Sequence, residues 1–248
     1  MHTDKLFEKQ KKKRIKGYKN DKLFLRKFNN LGNLCIRKKY TYNFNWFGVP
    51  IIQYPGDMIV IQELIFSKKP DLIIETGIAR GGSLIFYSTI LNYINNNARV
   101  LGIDIDIRKH ARKTISNHKI KNILTIEGSS ISESVKNKVE IITKKYKKII
   151  VILDSLHTHD HVFKELEFYS KFIKKNCYIV VCDTTPAFVD DKTSIFIKKN
   201  YNYPLTKTIN AKSAINQFLK INKKFTIDNE FNYRALLTNC IDGYLKRK

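Results

Sequence analysis

Five short apolar runs recur through the middle of this chain, each closed by a polar residue or a cysteine and separated by stretches of helical periodicity. The runs fall at 72–75, 100–104, 123–127, 149–154 and 178–182; the helical stretches between them are 83–93, 110–116, 132–145 and 159–174. A strand that is apolar on both faces must be covered on both faces. Alternation with amphipathic helices therefore predicts a parallel sheet with helices on either side. Ligands of such sheets bind beyond the carboxyl ends of the strands. The polar residues there are Glu75, Asp104, Gly128-Ser129-Ser130, Asp154 and Asp183, and they are expected to line one crevice.

The flanks are less regular. Residues 1–20 read as a basic arm, frayed or amphipathic, and 23–40 as a helix broken near 29–33. The aromatic, turn-rich run from Tyr42 to Pro50 holds the only tryptophan and is expected as a cover rather than a regular element. A helix is expected over 57–67, with Met58, Ile61, Leu64 and Ile65 at helical spacing. The tail should add a helix over 211–219 and short strands near 225–227 and 236–238, a pair that would set an antiparallel edge on the sheet. The expected division is an arm over 1–40 and one α/β domain over 41–248.

A hydrophobic fraction of 43% can support a sizeable core, and no apolar run approaches the ~18 residues of a membrane span. No signal-peptide apolar stretch follows the basic start. Cys35, Cys177, Cys182 and Cys240 show no CxxC spacing and are expected as reduced thiols in a cytoplasmic protein. The net charge is +24, and residues 1–40 hold 14 Lys/Arg against 3 Asp/Glu, a net of +11. Two readings stay open: attraction to a polyanion such as nucleic acid, anionic lipid or an acidic glycan, and lysine used as a default surface residue. The lysine run at 9–16 is the best candidate for a surface-binding segment.

The turn after the first run is Glu75-Thr76-Gly77-Ile78-Ala79-Arg80-Gly81-Gly82-Ser83. It is neither GxGxxG nor a P-loop, and it suits a nucleoside with a charged, phosphate-free tail. Gly77 allows close backbone approach, and Ser83 can cap the next helix or bind a carboxylate. Asp104 lies 27 residues past Gly77, where a strand-end acid holds ribose hydroxyls. Ser129 and Ser130 could face an adenine edge. The plainer alternative is that Glu75 and Asp104 are solvating acids.

After the fourth run comes Asp154-Ser155-Leu156-His157-Thr158-His159-Asp160-His161, and Asp183 closes the fifth. Neighbouring strand ends would bring Asp154 and Asp183 together, able to hold a divalent cation. His157 is then the natural proton acceptor. Alternatively His157, His159 and His161 form a transition-metal cluster, or His159 and His161 merely cap a helix. Cys182 has no base at a spacing that would make it a nucleophile. Tyr201, Tyr203 and Pro204 are expected in a loop shaping an acceptor pocket, and Trp46 and Phe47 as a lid or a packed cover.

These motifs occur with Asn45-Trp46-Phe47-Gly48-Val49-Pro50-Ile51-Ile52-Gln53, Gly102-Ile103-Asp104-Ile105-Asp106-Ile107-Arg108, Leu236-Leu237-Thr238 and Asp242-Gly243-Tyr244-Leu245. In this combination, over 42–248, the chain resembles the cephalosporin hydroxylase-like family of class I S-adenosylmethionine-dependent methyltransferases, allied to metal-dependent macrolide-sugar O-methyltransferases. The resemblance implies a Rossmann-like, mostly parallel doubly wound sheet with an antiparallel C-terminal edge. It implies S-adenosylmethionine at Glu75, Gly77, Ala79, Arg80, Ser83, Asp104, Ser129, Ser130 and Asp154, and a divalent metal, Mg²⁺ by type, at Asp154 and Asp183. His157, with Asp154, would act on a sugar hydroxyl. One departure stands out: Cys182 occupies the position of a glutamate metal ligand, and a hard cation prefers oxygen to sulfur. The implied partners are a sugar or glycan acceptor, which could be anionic or lipid-linked, and further copies of the chain. The basic arm could touch a membrane. An RNA methyltransferase is the alternative the charge suggests, although no Asn-Pro-Pro-aromatic motif or RNA module accompanies it. A binding protein that has kept the fold without the chemistry is the alternative Cys182 suggests.

Overall fold

The computed structural model describes residues 4–117, 122–201 and 205–248. Its first two helices are set by aspartate caps. The Asp4 carboxylate accepts from the backbone N–H groups of Leu6 and Phe7 to start α1 (Lys5–Tyr18), and that of Asp21 accepts from Phe24 to start α2 (Lys22–Arg37). The expected break in α2 is absent. Asn33 is satisfied within the helix, its Nδ2 donating to the Asn29 carbonyl at 2.9 Å, while its Oδ1 accepts from the Asp190 backbone N–H at 2.9 Å.

The aromatic cover proves to be a regular hairpin, β1 (Phe44–Trp46) paired with β2 (Val49–Ile51). Its turn residues, Phe47 and Gly48, both have positive φ, +46° and +80°, which matches the twist of paired strands. With phenylalanine at a place usually taken by glycine or asparagine, the turn left no signature in the sequence. Trp46 packs edge-on against Phe86, and its Nε1 donates to Thr89 at 3.3 Å. It is therefore a packed cover, and α3 (Pro55–Lys68) follows it.

The main sheet contains β3 (Leu72–Thr76), β4 (Arg99–Asp104), β5 (Ile123–Glu127), β6 (Ile149–Leu153), β7 (Tyr178–Val181), β8 (Phe225–Ile227) and β9 (Tyr244–Arg247), in the order β5-β4-β3-β6-β7-β9-β8. The first five are parallel, as the alternation requires. Connecting and flanking them are α4 (Gly82–Ile94), α5 (Lys109–Asn117), α6 (Glu133–Thr143), α7 (His159–Tyr169), α8 (Asp191–Asn200) and α9 (Ala211–Ile221). Period-two alternation divides the strands between two cores. Ile73, Val100, Ile150 and Val180 face α3 and α4; Leu72, Leu101, Val151 and Ile179 face α6, α7 and α9.

The C-terminal edge differs from expectation. Residues 236–238 are not a strand, because Thr238 and Asn239 bond to the buried Asp57 carboxylate instead. The antiparallel strand is β9, which lies between β7 and β8. Its Tyr-Leu-Lys-Arg sequence looks like a charged tail, yet Tyr244 and Leu245 are buried.

The strand order reverses at β3, which pairs with both β4 and β6. Such a switch point opens a crevice at the strands' carboxyl ends. The hairpin closes over this region through a direct backbone contact: a Cβ on Gly82 would lie 2.2 Å from the Pro50 carbonyl oxygen. Gly82→Ala is expected to cost about 2–3 kcal/mol, lowering the thermal midpoint by roughly 5–10 °C. Gly17→Ala, with no atom within 4 Å of its Cβ, should be neutral or slightly stabilising. Equal melting of the two variants would show that the hairpin contact does not matter.

Candidate active site

The carboxyl ends of β3 to β7 open into a cavity of about 770 Å³. One end is built on the turn after β3. Gly77 has φ +92°, and a Cβ there would fall 2.0 Å from the Asp154 carbonyl oxygen, so only glycine fits between β3 and β6. The acid ending β4 braces this turn. Asp104 Oδ2 accepts from the backbone N–H of Ile78 at 2.7 Å and of Ala79 at 3.3 Å, and Oδ1 accepts from Asp106 at 3.1 Å. Oδ2 is thereby filled by two backbone donors, while Oδ1 keeps a second lone pair for a ligand hydroxyl.

Gly77, Ala79, Asp104, Ser129 and Ser130 line this end, joined by Ile105 and Arg108, which sequence reasoning did not single out as ligand contacts. Glu75, Ser83 and Arg80 do not line it. Ser83 Oγ donates to Glu75 Oε2 at 2.7 Å beneath the turn, burial pushes the Glu75 carboxyl well above the usual range, and Arg80 is exposed. Gly81, not Ser83, caps α4.

Behind this end sits a carboxylate with no local sequence signature. Glu165, on α7, is fully buried. Its Oε1 accepts from Ser130 Oγ at 2.6 Å and Ser155 Oγ at 2.8 Å, and His161 Nε2 lies 3.0 Å and 3.2 Å from the same hydroxyls. Ser130 follows β5 and Ser155 follows β6. One side chain therefore ties the loop after β5, at this end of the cavity, to the loop that carries Asp154 and His157.

At the other end, His157 Nε2 lies 3.1 Å from Asp183 Oδ2 and 4.0 Å from Asp154 Oδ1. Asp183 holds a left-handed backbone, φ +49°, and Thr184 next to it is fixed by hydrogen bonds to the Asn239 and Ile241 carbonyls. Strain retained in this way is common where a side chain must be aimed. The ligand atoms of Asp154, His157 and Asp183 all lie within 4.8 Å of one another. Burial, and then the charge of Asp183, pushes the Asp154 carboxyl up to about 7. Buried Asp57 lines the same end and is likewise pushed up to about 7, by burial first. Converging carboxylates that disfavour each other's charge fit a divalent cation, with Asp154 and Asp183 as oxygen ligands.

Cys182 and His161 also line the cavity, but neither they nor His159 join the Asp154–His157–Asp183 group. Cys182 Sγ and Cys240 Sγ lie 3.6 Å apart and share a thiol hydrogen bond; holding the proton on Cys182 in this contact, together with burial, raises the Cys182 thiol well above its ordinary value. A neutral thiol is neither a hard-cation ligand nor a nucleophile. His159 bridges α7 to α9, 2.7 Å from Ser213 Oγ and 2.8 Å from Gln217 Oε1, so the three histidines form no cluster. The remaining wall includes Ile36, Lys39, Tyr42, Tyr54, Ile197, Tyr201 and Leu205. Ile36 and Lys39 belong to the expected arm, which thus supplies part of the cavity. Trp46 and Phe47 do not line it, and Tyr203 and Pro204 lie outside the described residues.

Comparison with known proteins bears on the family and the fold. Residues 38–248 match the family model described as rhamnosyl O-methyltransferase/CmcI. The rhamnosyl O-methyltransferase of Mycobacterium leprae (strain TN) is 30% identical over 156 residues, 59% of this chain and 65% of that protein. That of Mycobacterium tuberculosis (strain H37Rv) is 29% identical over 154 residues, 62% of this chain and 60% of that protein. The match thus spans less than two thirds of these relatives' own length. The fold is shared with CmcI in its structure with Mg and SAM (TM-score 0.56, 15% identity, 84% of this chain and 77% of that one). It is also shared with an O-methyltransferase from Bacillus cereus in complex with SAH (TM-score 0.51, 14% identity, 90% of each).

Two outcomes are expected of this site. Because the folded-state pKa of Asp154 is raised, the unfolded chain loses this proton first, and stability is lost as pH climbs from about 4 to about 7. A cation must displace the same proton. The rise in thermal midpoint on adding Mg²⁺ or Mn²⁺ should therefore be small at pH 6, larger at pH 8 and absent in Asp154→Ala; a pH-independent rise would contradict the assignment. Separately, Glu165→Leu should weaken S-adenosylhomocysteine binding about tenfold or more in calorimetry, whereas Glu165→Gln, which still accepts from both serines, should retain most of it.

Proposed function

This chain belongs to the rhamnosyl O-methyltransferase/CmcI family, and from that premise we propose that it transfers a methyl group from S-adenosylmethionine to a sugar hydroxyl. The observation that carries this reading is that the Gly77–Asp104 turn and the Asp154–His157–Asp183 set share one continuous cavity.

In this reading the Gly77 backbone and the open lone pair of Asp104 Oδ1 hold the nucleoside, and Ser129 and Ser130 border its base. Asp154 and Asp183 hold the cation and orient the acceptor. When bound, S-adenosylmethionine supplies an already activated methyl group, and Mg²⁺ supplies charge that lowers the pKa of a nearby hydroxyl. Positioning and proton removal remain for the protein. His157 takes the hydroxyl proton on the ring nitrogen that does not face Asp183, and the Asp183 carboxylate, 3.1 Å from Nε2, balances the charge of the resulting imidazolium. Tyr54, Ile197 and Leu205 wall the acceptor end and exclude water.

The acceptor we infer is a glycan, nucleotide sugar or glycoside, of the deoxysugar type that the mycobacterial relatives' names indicate. An anionic or lipid-linked form suits the +24 charge. Four free cysteines and a cofactor made inside cells suit a cytoplasmic site of action, and no helix among the described residues is long and apolar enough to cross a membrane. A homo-oligomer belongs to the reading, and nucleic acid does not.

Calorimetry with S-adenosylhomocysteine and radiolabelled methyl transfer to rhamnosides test the proposal. His157→Ala should cut the rate roughly 10²–10⁴-fold with cofactor affinity within about twofold. Asp104→Ala should lose cofactor affinity. Transfer to RNA but to no sugar, or full activity in His157→Ala, would sink it.

A further inference from the structure

We propose that the outer face of α2 rests on an anionic lipid surface and presents the acceptor end of the cavity to sugars carried there. On the helix, Leu23, Lys27, Leu31, Leu34 and Lys38 follow spacings of four, four, three and four, which puts them on one face. All five are exposed, the leucines at 53%, 46% and 50%. A lysine-rich surface accounts for the lysines but not for leucines interleaved with them. No acidic residue occurs between Lys22 and Lys39. Apolar side chains among basic ones, on one helix face, are the pattern of a helix lying in a bilayer interface.

The face is rigidly mounted. Arg37 pairs with Asp190 at 3.4 Å and bonds to Thr193, Asn33 accepts from the Asp190 backbone, and Phe28 and Ile36 turn inward towards Val189 and Leu237. Lys38, at the end of the stripe, runs into Lys39, Thr41 and Tyr42, which line the cavity. Helix α1 repeats the pattern, with Leu6 and Phe7 exposed at 64% and 53% ahead of Lys9 and Lys13. A second copy of the chain is a poor occupant of this face in a two-fold contact, since it would bring the same basic face against it. An anionic bilayer complements both the charge and the leucines.

The proposal draws its purpose from the sugar-methylation reading, but the contact itself does not depend on that chemistry. The test is sedimentation of the full chain with vesicles of phosphatidylcholine alone or with about 30% phosphatidylglycerol, at low and high salt. Binding is expected only to the anionic vesicles and should weaken with salt. Leu31→Asp/Leu34→Asp and Lys27→Glu/Lys38→Glu should each lower it more than tenfold while S-adenosylhomocysteine binding stays unchanged, which verifies folding. Equal binding to neutral vesicles, wild-type binding by both variants, or an oligomer dispersed by the leucine variant without effect on vesicles would overturn the proposal. Loss of methyl transfer to a soluble glycoside with vesicle binding intact would count against the catalytic reading alone.

Discussion

The site depends on one close approach. Gly77, leaving β3, passes so near the Asp154 carbonyl that no side chain fits between them, and the Asp154 N–H donates to the Thr76 carbonyl at 2.9 Å. The two ends of the cavity are thus neighbouring strand ends of one sheet. Their spacing is set by parallel hydrogen-bond pairing rather than by flexible loops, so the two ends are held at a fixed distance. Glu165 adds a second tie from behind, joining the serines that follow β5 and β6.

Charge divides between outside and inside. The chain carries +24 overall, yet the chemical end of its cavity gathers Asp57, Asp154 and Asp183. Burial and mutual repulsion hold the Asp57 and Asp154 carboxyls up to about 7. Such a cluster is costly without a counter-charge, and a divalent cation is the simplest group that offsets it. Cys182, at the β7 strand end beside Asp183, is held as a neutral thiol by its contact with Cys240 and by burial. That keeps a third strand-end charge out of the cluster.

Much of the fold was legible because its signals are local. Apolar runs bounded by Glu75, Asp104, Asp154 and Asp183 indicate strands by length and alternation, and their order along the chain implies the parallel sheet. The errors share a cause as well. The Phe47-Gly48 turn, the unbroken α2 and the late strand β9 depend on tertiary partners: Asp190 for Asn33, Thr89 for Trp46, and both β7 and β8 for β9.

By itself the sequence determined the doubly wound sheet and the placing of acids at its carboxyl edge, since strand period and strand-end polarity are written within a few residues. Only the tertiary structure decided what each acid does. It turned Glu75 onto Ser83 and Cys182 onto Cys240, aimed His157 at Asp183, drew Asp57 to Thr238, and made the end of α2 a wall of the cavity. Several of these contacts join residues far apart along the chain, 181 positions for Asp57 and Thr238. No local period encodes them; they follow from which faces the packed sheet and helices leave opposite one another.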